Sequence, residues 1–108
     1  MAKWIDIGPQ KDFPPGCQVC LETQDTRLVM FNLDGQLLAV SNICPHAGQP
    51  LGEGERRGLV LTCPYHGYAY NIKTGANIDF PYDEPPVPTY AVHCTDAGRV
   101  QVHADRKA

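Results

Sequence analysis

The sequence predicts an all-β fold, built from short strands joined by frequent turns. No window shows a sustained apolar period of 3.6 residues, whereas several short runs alternate or are β-branched. The 108 residues include ten glycines and ten prolines, well above the average combined share of about 12%. A chain of this length is expected to form one compact domain.

Four strands are predicted in the first part of the chain, at 4–7, 17–23, 27–32 and 36–41. Gly8-Pro9 ends the first of them, and a turn at 14–16 precedes the second. The third and fourth flank Asp34-Gly35, a strong hairpin signal. Residues 27–41 are therefore expected to form a β-hairpin.

The region 42–83 is unusually dense in Cys, His, Gly, Pro and Tyr. Strands are predicted there at 58–62 and 68–72, and 80–88, which contains four prolines, is predicted to be a loop. Two final strands are predicted at 90–95 and 99–103. The two ends of the chain can then pair as a base, approximately 1–41 with 84–108, from which an inserted subdomain, approximately 42–83, stands out.

Charge and hydropathy exclude several classes of protein. The net charge is −3, and there is no Lys/Arg cluster, which argues against nucleic-acid binding. No apolar stretch is long enough for a spanning helix, and the start lacks the apolar segment of a signal peptide. A cytoplasmic protein without a membrane partner is the default expectation.

Five cysteines, an odd number, do not suggest a disulfide framework, so metal binding is the better use for some of them.

Two segments resemble each other, 44–48 with the sequence Cys-Pro-His-Ala-Gly and 63–67 with Cys-Pro-Tyr-His-Gly. Thiolates are strong iron ligands, and imidazoles bind as neutral ones. A cluster with two imidazoles in place of two thiolates accepts an electron more readily. Proline fixes φ after each cysteine, and glycine lets the backbone pass close to a cluster. The candidate metal ligands are Cys44, His46, Cys63 and His66.

These segments resemble the cluster-binding loops of the Rieske family, and the likeness extends to 34–35, 38–40, 50–51 and 74–75. The resemblance implies stacked antiparallel sheets and one Rieske-type [2Fe–2S] cluster per chain at a tip. It also implies that Cys44 and Cys63 bind the inner iron, and His46 and His66 the outer iron. The residues expected around these ligands are Pro45, Gly48, Pro64, Gly67, Tyr68, Tyr70 and Pro81.

The implied function is electron transfer rather than catalysis, since the chain shows no mononuclear iron triad, dinucleotide loop or nucleophile with a base. The resemblance suggests a ferredoxin that passes single electrons from a reductase to a ring-hydroxylating oxygenase and has no small-molecule substrate. A Rieske-like small subunit of an assimilatory nitrite reductase is the alternative, because both groups share the two motifs. A structural zinc module is a rival of another class.

Four positions near the motifs bear on the reduction potential. Rieske members of respiratory complexes carry an extra, disulfide-forming cysteine in each loop, and Gln49 and Tyr65 stand there in this chain. Tyr68 replaces a serine that donates a hydrogen bond to sulfur, and Tyr70 matches a donating tyrosine that is commonly Phe in soluble ferredoxins. We expect a potential towards the lower part of the Rieske range, raised somewhat by Tyr70.

The remaining cysteines are expected to be structural. Cys17 and Cys20 lie three apart on a predicted strand, so they point to opposite faces, and a redox or metal knuckle is the less favoured alternative. Cys94 is predicted to pack in the core, as is Trp4.

Two histidines and an acidic cluster complete the candidates. His93 and His103 lie on predicted strands away from cysteine neighbours and are expected at or near the surface. Asp79, Asp83 and Glu84 follow the second motif. They form either a solvated loop or an electrostatic guide for a basic redox partner.

Overall fold

The computed structural model describes residues 4–23, 26–45, 48–65 and 67–103. Its strands are β1 (Trp4–Pro9), β2 (Gln18–Glu22), β3 (Arg27–Leu33), β4 (Gln36–Ser41), β5 (Glu55–Arg57), β6 (Val60–Thr62), β7 (Ala69–Asn71), β8 (Thr89–Tyr90), β9 (Val92–Cys94) and β10 (Arg99–His103). A short 3₁₀ helix, Gln10–Asp12, follows β1. The described part of the chain contains no helix with the length and apolarity that a membrane crossing requires.

The strands form three antiparallel sheets, with the orders β1-β10-β9, β2-β3-β4-β8 and β5-β6-β7. The first strand pairs with the last, with Trp4 opposite His103. β3 and β4 form the predicted hairpin, in register from Leu28 opposite Ser41 to Leu33 opposite Gln36.

The sheet that contains β3 is covered on both faces. Leu28, Val29, Met30 and Phe31 of β3 are all fully buried, although neighbouring strand residues point in opposite directions. One face packs on the first sheet through a core of Phe13, Leu28, Met30, Ala39, Val100 and Val102. The other face packs on the third sheet through a core that includes Val29, Phe31, Leu61, Tyr70 and Ile72. The predicted all-β fold of stacked antiparallel sheets is confirmed.

Some strand boundaries differ from the sequence prediction. β1 continues through Gly8-Pro9 because a bulge between Asp6 and Gly8, whose φ is 130°, shifts the register without ending the pairing. The single strand predicted at 90–95 is divided, since β8 pairs with β4 whereas β9 pairs with β10. β5 was missed because its charged sequence lacks the usual strand pattern.

Predictions for three residues of the first sheet need correction. Cys94 is exposed, so the prediction of core packing is wrong; it is the last residue of an edge strand. Trp4 is half-buried rather than in a core, and its ring stacks on His93 with centroids 3.8 Å apart. His103 is more buried than expected, at 5% exposure, and meets the Trp4 ring edge-on.

The predicted loop 80–88 is present as irregular structure. Its end returns to the turn after β7, where the backbone N–H of Val87 donates to the carbonyl of Gly75 at 2.8 Å. A Cβ at Gly75 would lie 2.3 Å from the carbonyl oxygen of Val87. Glycine is therefore required for this close approach, which holds the loop against the third sheet.

Candidate metal centre

The two motif cysteines lie in the core between the second and third sheets. Cys44 follows β4 and Cys63 follows β6, and their exposed fractions are 0% and 1%. Both belong to the same cluster of buried residues as Tyr70. The structure therefore brings together two thiols that are 19 positions apart in the chain.

The two loops that carry these cysteines have the same backbone hydrogen bonds. The N–H of Cys44 donates to the carbonyl of Gln49 at 2.8 Å, and the N–H of Cys63 donates to that of Tyr68 at 2.7 Å. Four residues after each cysteine, the N–H of Gly48 or Gly67 donates back to the cysteine carbonyl. These glycines have φ of 70° and 75°, a conformation that other residues rarely adopt.

The predicted imidazole ligands, His46 and His66, lie outside the described residues, as does Ala47. The described neighbours Pro45 and Pro64 are half-buried and exposed respectively. The matched backbone of the two loops supports the sequence interpretation that they are equivalent.

Tyr70 lies beside both cysteines. Its hydroxyl oxygen is 3.6 Å from Sγ of Cys44, and the residue is 1% exposed. Burial raises the pKa of Tyr70, and the hydrogen bond with Cys44 raises it further, whereas the Asn77 carboxamide acts in the opposite direction. The hydroxyl remains protonated at neutral pH and can donate to a thiolate.

Tyr68 and the acidic loop lie next to the second motif. The Tyr68 hydroxyl donates to a carboxylate oxygen of Glu84 at 3.5 Å, and its ring contacts that of Phe80, with centroids 6.1 Å apart. Burial raises the pKa of Tyr68, and the charge of Glu84 raises it further. Pro81, predicted to lie near the cluster, is an exposed residue of this loop.

Side chains from outside the motif hold the segment between the first motif and β5. Nε2 of Gln18 on β2 donates to the carbonyls of Gly52 and Gly54, each at 2.9 Å. The Asn42 carboxamide oxygen accepts from the N–H of Gly52 at 2.6 Å. Sequence reasoning missed these anchors because they join residues up to 36 positions apart.

Asn77 is a further residue that the sequence reasoning missed. It is 2% exposed and lies directly opposite Tyr70 in an isolated antiparallel bridge. Among the residues that the structure describes, its Nδ2 is the one buried side-chain nitrogen or oxygen with no hydrogen-bond partner. A buried, unsatisfied donor in a folded protein calls for a physical explanation.

Cys17 and Cys20 lie apart from this centre. Cys17 packs against the core on the first-sheet side, whereas Sγ of Cys20 lies close to Gly52, where it would be 2.1 Å from an added Cβ. They point to opposite faces, as the strand spacing predicts.

Comparison with known proteins identifies the family. The family model of the Rieske [2Fe–2S] domain matches residues 3–91. The chain is a Rieske protein. Its cofactor is accordingly a Rieske-type [2Fe–2S] cluster, and the soft donor set of two buried thiols fits that group.

Two relatives of this Rieske chain differ in how much of their own length the match covers. A ferredoxin component of the naphthalene 1,2-dioxygenase/salicylate 5-hydroxylase systems of Ralstonia sp is 26% identical over 89 residues, which cover 82% of this chain and 85% of the relative. The oxygenase component of 3-ketosteroid-9-alpha-monooxygenase from Rhodococcus rhodochrous is 36% identical over 87 residues. The match covers 78% of this chain but spans only 22% of that relative.

Two solved structures resemble the chain along nearly its whole length. One comes from the complex of reduced oxygenase and oxidized ferredoxin in carbazole 1,9a-dioxygenase, with a TM-score of 0.84, 27% identity and coverage of 97% of this chain and 96% of the other. The second is a putative NADH-dependent nitrite reductase small subunit from Mycobacterium tuberculosis, with a TM-score of 0.80, 28% identity and coverage of 100% and 98%.

Gln18→Glu tests the anchor of the first loop. At neutral pH it replaces the Nε2 donor with a carboxylate facing two carbonyl oxygens, so we expect the free energy of unfolding to fall by about 1–3 kcal/mol. Chemical denaturation measures the change. The loss should shrink as the pH falls towards about 4.3, the ordinary pKa of Glu, because the two facing carbonyl oxygens raise the pKa of this carboxyl in the folded state and a protonated Glu regains one donor.

Gln36→Glu is the matched control, because Gln36 is exposed at the start of β4 and the same substitution there should change stability by less than about 0.5 kcal/mol. Equal losses in the two variants would show that the Gln18 bonds do not stabilise the loop.

Proposed function

We propose that this chain is an electron carrier that passes single electrons from a reductase to a ring-hydroxylating oxygenase. The observation that carries the proposal is the pair of matched loops, which place two buried thiols in one core beside the Tyr70 hydroxyl. The bound cluster supplies one-electron redox chemistry. The full-length similarity to ferredoxin components supports the choice of partners.

The ligand set that we propose is Cys44 and Cys63 for the inner iron and His46 and His66 for the outer iron. The burial of both cysteines supports the inner position, since each thiolate lies where water does not reach it. The loops that hold them fall within the proposed cluster-binding subdomain, approximately 42–83, and the paired first and last strands fall within the proposed base, approximately 1–41 and 84–108.

The proposal of a carrier rather than an enzyme is supported by where the cavities lie. A cavity of about 570 Å³ is lined by β1 and β2 residues together with Thr23 and Arg99, and no motif residue within the described ranges contributes to it. A second cavity, of about 520 Å³, is lined around Gln10, Phe13 and Asn32. Among the residues that the structure describes, Cys44 and Cys63 line neither of these two cavities. A cytoplasmic location remains part of the proposal.

The loop after the second motif is our proposed contact for a redox partner. Tyr82 is 97% exposed, and Phe80 is 46% exposed. Asp79 and Asp83 are exposed in the same loop, which is held beside the second motif by the Tyr68 and Glu84 contact. Exposed aromatic and acidic side chains suit a partner whose contact surface is basic.

A nitrite reductase small subunit is the second candidate function. The specific observation in its favour is the similarity to the Mycobacterium tuberculosis protein, which covers the whole of this chain. The two candidates differ in their partners, because a ferredoxin serves a separate reductase and oxygenase whereas a small subunit belongs to one large catalytic chain.

The cluster and its cysteine ligands are tested by cysteine substitution. We expect wild-type protein to contain two irons and two acid-labile sulfides per chain, and Cys44→Ser or Cys63→Ser to lose most of both. Cys17→Ser, Cys20→Ser and Cys94→Ser are the matched controls and should retain them. Metal and sulfide analysis with EPR of the reduced protein measures this. Stoichiometric zinc without sulfide would instead establish a structural zinc module.

The partners are tested by affinity purification of the tagged chain from its native cells, followed by stopped-flow mixing of the reduced chain with each captured oxidoreductase. Capture of an oxygenase that oxidises the reduced chain, with a reductase that reduces it, is expected. A stable, stoichiometric complex with one large nitrite-reducing chain would support the alternative and exclude the ferredoxin role.

Tyr70→Phe should lower the midpoint potential by about 20–60 mV. The hydroxyl stabilises the reduced state by donating to a ligand sulfur, a hydrogen bond worth about 0.5–1.5 kcal/mol, and about 59 mV corresponds to a tenfold change for one electron. Protein-film voltammetry measures the shift. Tyr90→Phe is the control, because Tyr90 packs on the opposite side of the second sheet. An unchanged midpoint in Tyr70→Phe would show that its hydroxyl does not tune the cluster.

A further inference from the structure

Asn77 and Tyr70 face each other across a short antiparallel pair. The N–H of Asn71 donates to the carbonyl of Ala76 at 2.9 Å, and the N–H of Ile78 donates to that of Ala69 at 2.8 Å. These bonds flank the bridge between Tyr70 and Asn77, which makes it a non-hydrogen-bonded pair. Side chains approach each other most closely at such pairs and lie on the same face.

The orientation of the Asn77 carboxamide is fixed by the backbone. Its Oδ1 accepts from the N–H of Asp79 at 3.0 Å and from that of Phe80 at 2.8 Å. The opposite orientation would set an NH₂ group against two N–H donors, so it is excluded. Nδ2 therefore points away from the turn and acts only as a donor.

The Tyr70 hydroxyl is the acceptor that this geometry supplies. Nδ2 makes no hydrogen bond to any described group, and the side chain that faces Asn77 across the pair is that of Tyr70. A buried amide donor that stays unsatisfied costs the full free energy of removing it from water. A hydroxyl has one hydrogen and two lone pairs, so an oxygen that accepts from Asn77 keeps its hydrogen for another partner.

The other partner of that hydroxyl is Sγ of Cys44, at 3.6 Å, and distance alone leaves either atom as the donor. We propose that Asn77 is a positioning residue that donates to the Tyr70 oxygen and thereby directs the hydroxyl hydrogen to the Cys44 sulfur. This inference rests on the proposed function, in which that sulfur binds the cluster. Asn77 then raises the reduction potential through Tyr70 without touching the cluster ligand itself.

Asn77→Asp tests the proposal, because Asp retains an oxygen that caps the turn at 79–80 but replaces the donor with an acceptor that attracts the Tyr70 hydrogen. We expect a lower midpoint potential, and we expect at least half of that shift to disappear when Asn77→Asp is made in the Tyr70→Phe background. Asn77→Ser also keeps a turn-capping oxygen, adds no charge and should shift the potential in the same direction, again only when Tyr70 is present.

Asn71→Asp is the matched charge control. Asn71 lies in the same hairpin, and its Oδ1 also accepts two backbone N–H groups, from Lys73 and Thr74. Its shift in potential should be the same in the Tyr70 and Tyr70→Phe backgrounds, because it acts only through its charge.

Pulsed EPR of the reduced protein in H₂O and D₂O gives a second readout, the hyperfine coupling of an exchangeable proton near the cluster. The coupling should be present in the wild type, lost in Tyr70→Phe and weakened in Asn77→Asp. Equal potential shifts in both Tyr70 backgrounds, or an unchanged coupling in Asn77→Asp, would overturn the role of Asn77. Iron and sulfide analysis keeps the two proposals separate, since a wild type without a cluster overturns the proposed function itself.

Discussion

Two cysteine thiols lie in an apolar core between packed sheets, and the surrounding backbone is arranged to keep them there. Each thiol follows a short strand and begins a loop closed by a bond to a carbonyl five residues later and by a return bond from a glycine. The loops pack on the face of the second sheet that is turned towards the third sheet. Val29 and Phe31 of β3 lie on that face, in the same core as both cysteines, and so support the site. Fold stability and cluster binding are therefore expected to depend on the same packing.

The hydrogen bond between Tyr70 and Cys44 links the packing of the third sheet to the electron affinity of the proposed cluster. Tyr70 is a core residue of the third sheet, and its hydroxyl oxygen lies 3.6 Å from Sγ of a predicted ligand, Cys44. Its partner across the sheet is Asn77, whose Oδ1 accepts from two backbone N–H groups and whose Nδ2 is a buried donor without a partner among the described groups. A polar group retained in such a place is expensive, and a tuned electron affinity is a physical reason for retaining it.

Local sequence signals predicted much of the fold. The hairpin of β3 and β4 followed from Asp34-Gly35 between apolar runs, and the loop 80–88 followed from its prolines. The two cysteines were predicted by their spacing from histidine, proline and glycine. Sequence reasoning failed where tertiary context decides, as in the division of β8 from β9, the exposure of Cys94 at an edge and the charged strand β5. The roles of Gln18 and Asn77 depend on carbonyls and a hydroxyl that only the folded chain brings near them.

The pairing of β1 with β10 also has a practical consequence. These strands form the sheet on the far side of β3 from both cysteines, so the polypeptide enters and leaves the unit through neighbouring strands on its back. A fusion partner or an immobilising tag joined through that back sheet would therefore lie on the side of the fold opposite Cys44 and Cys63.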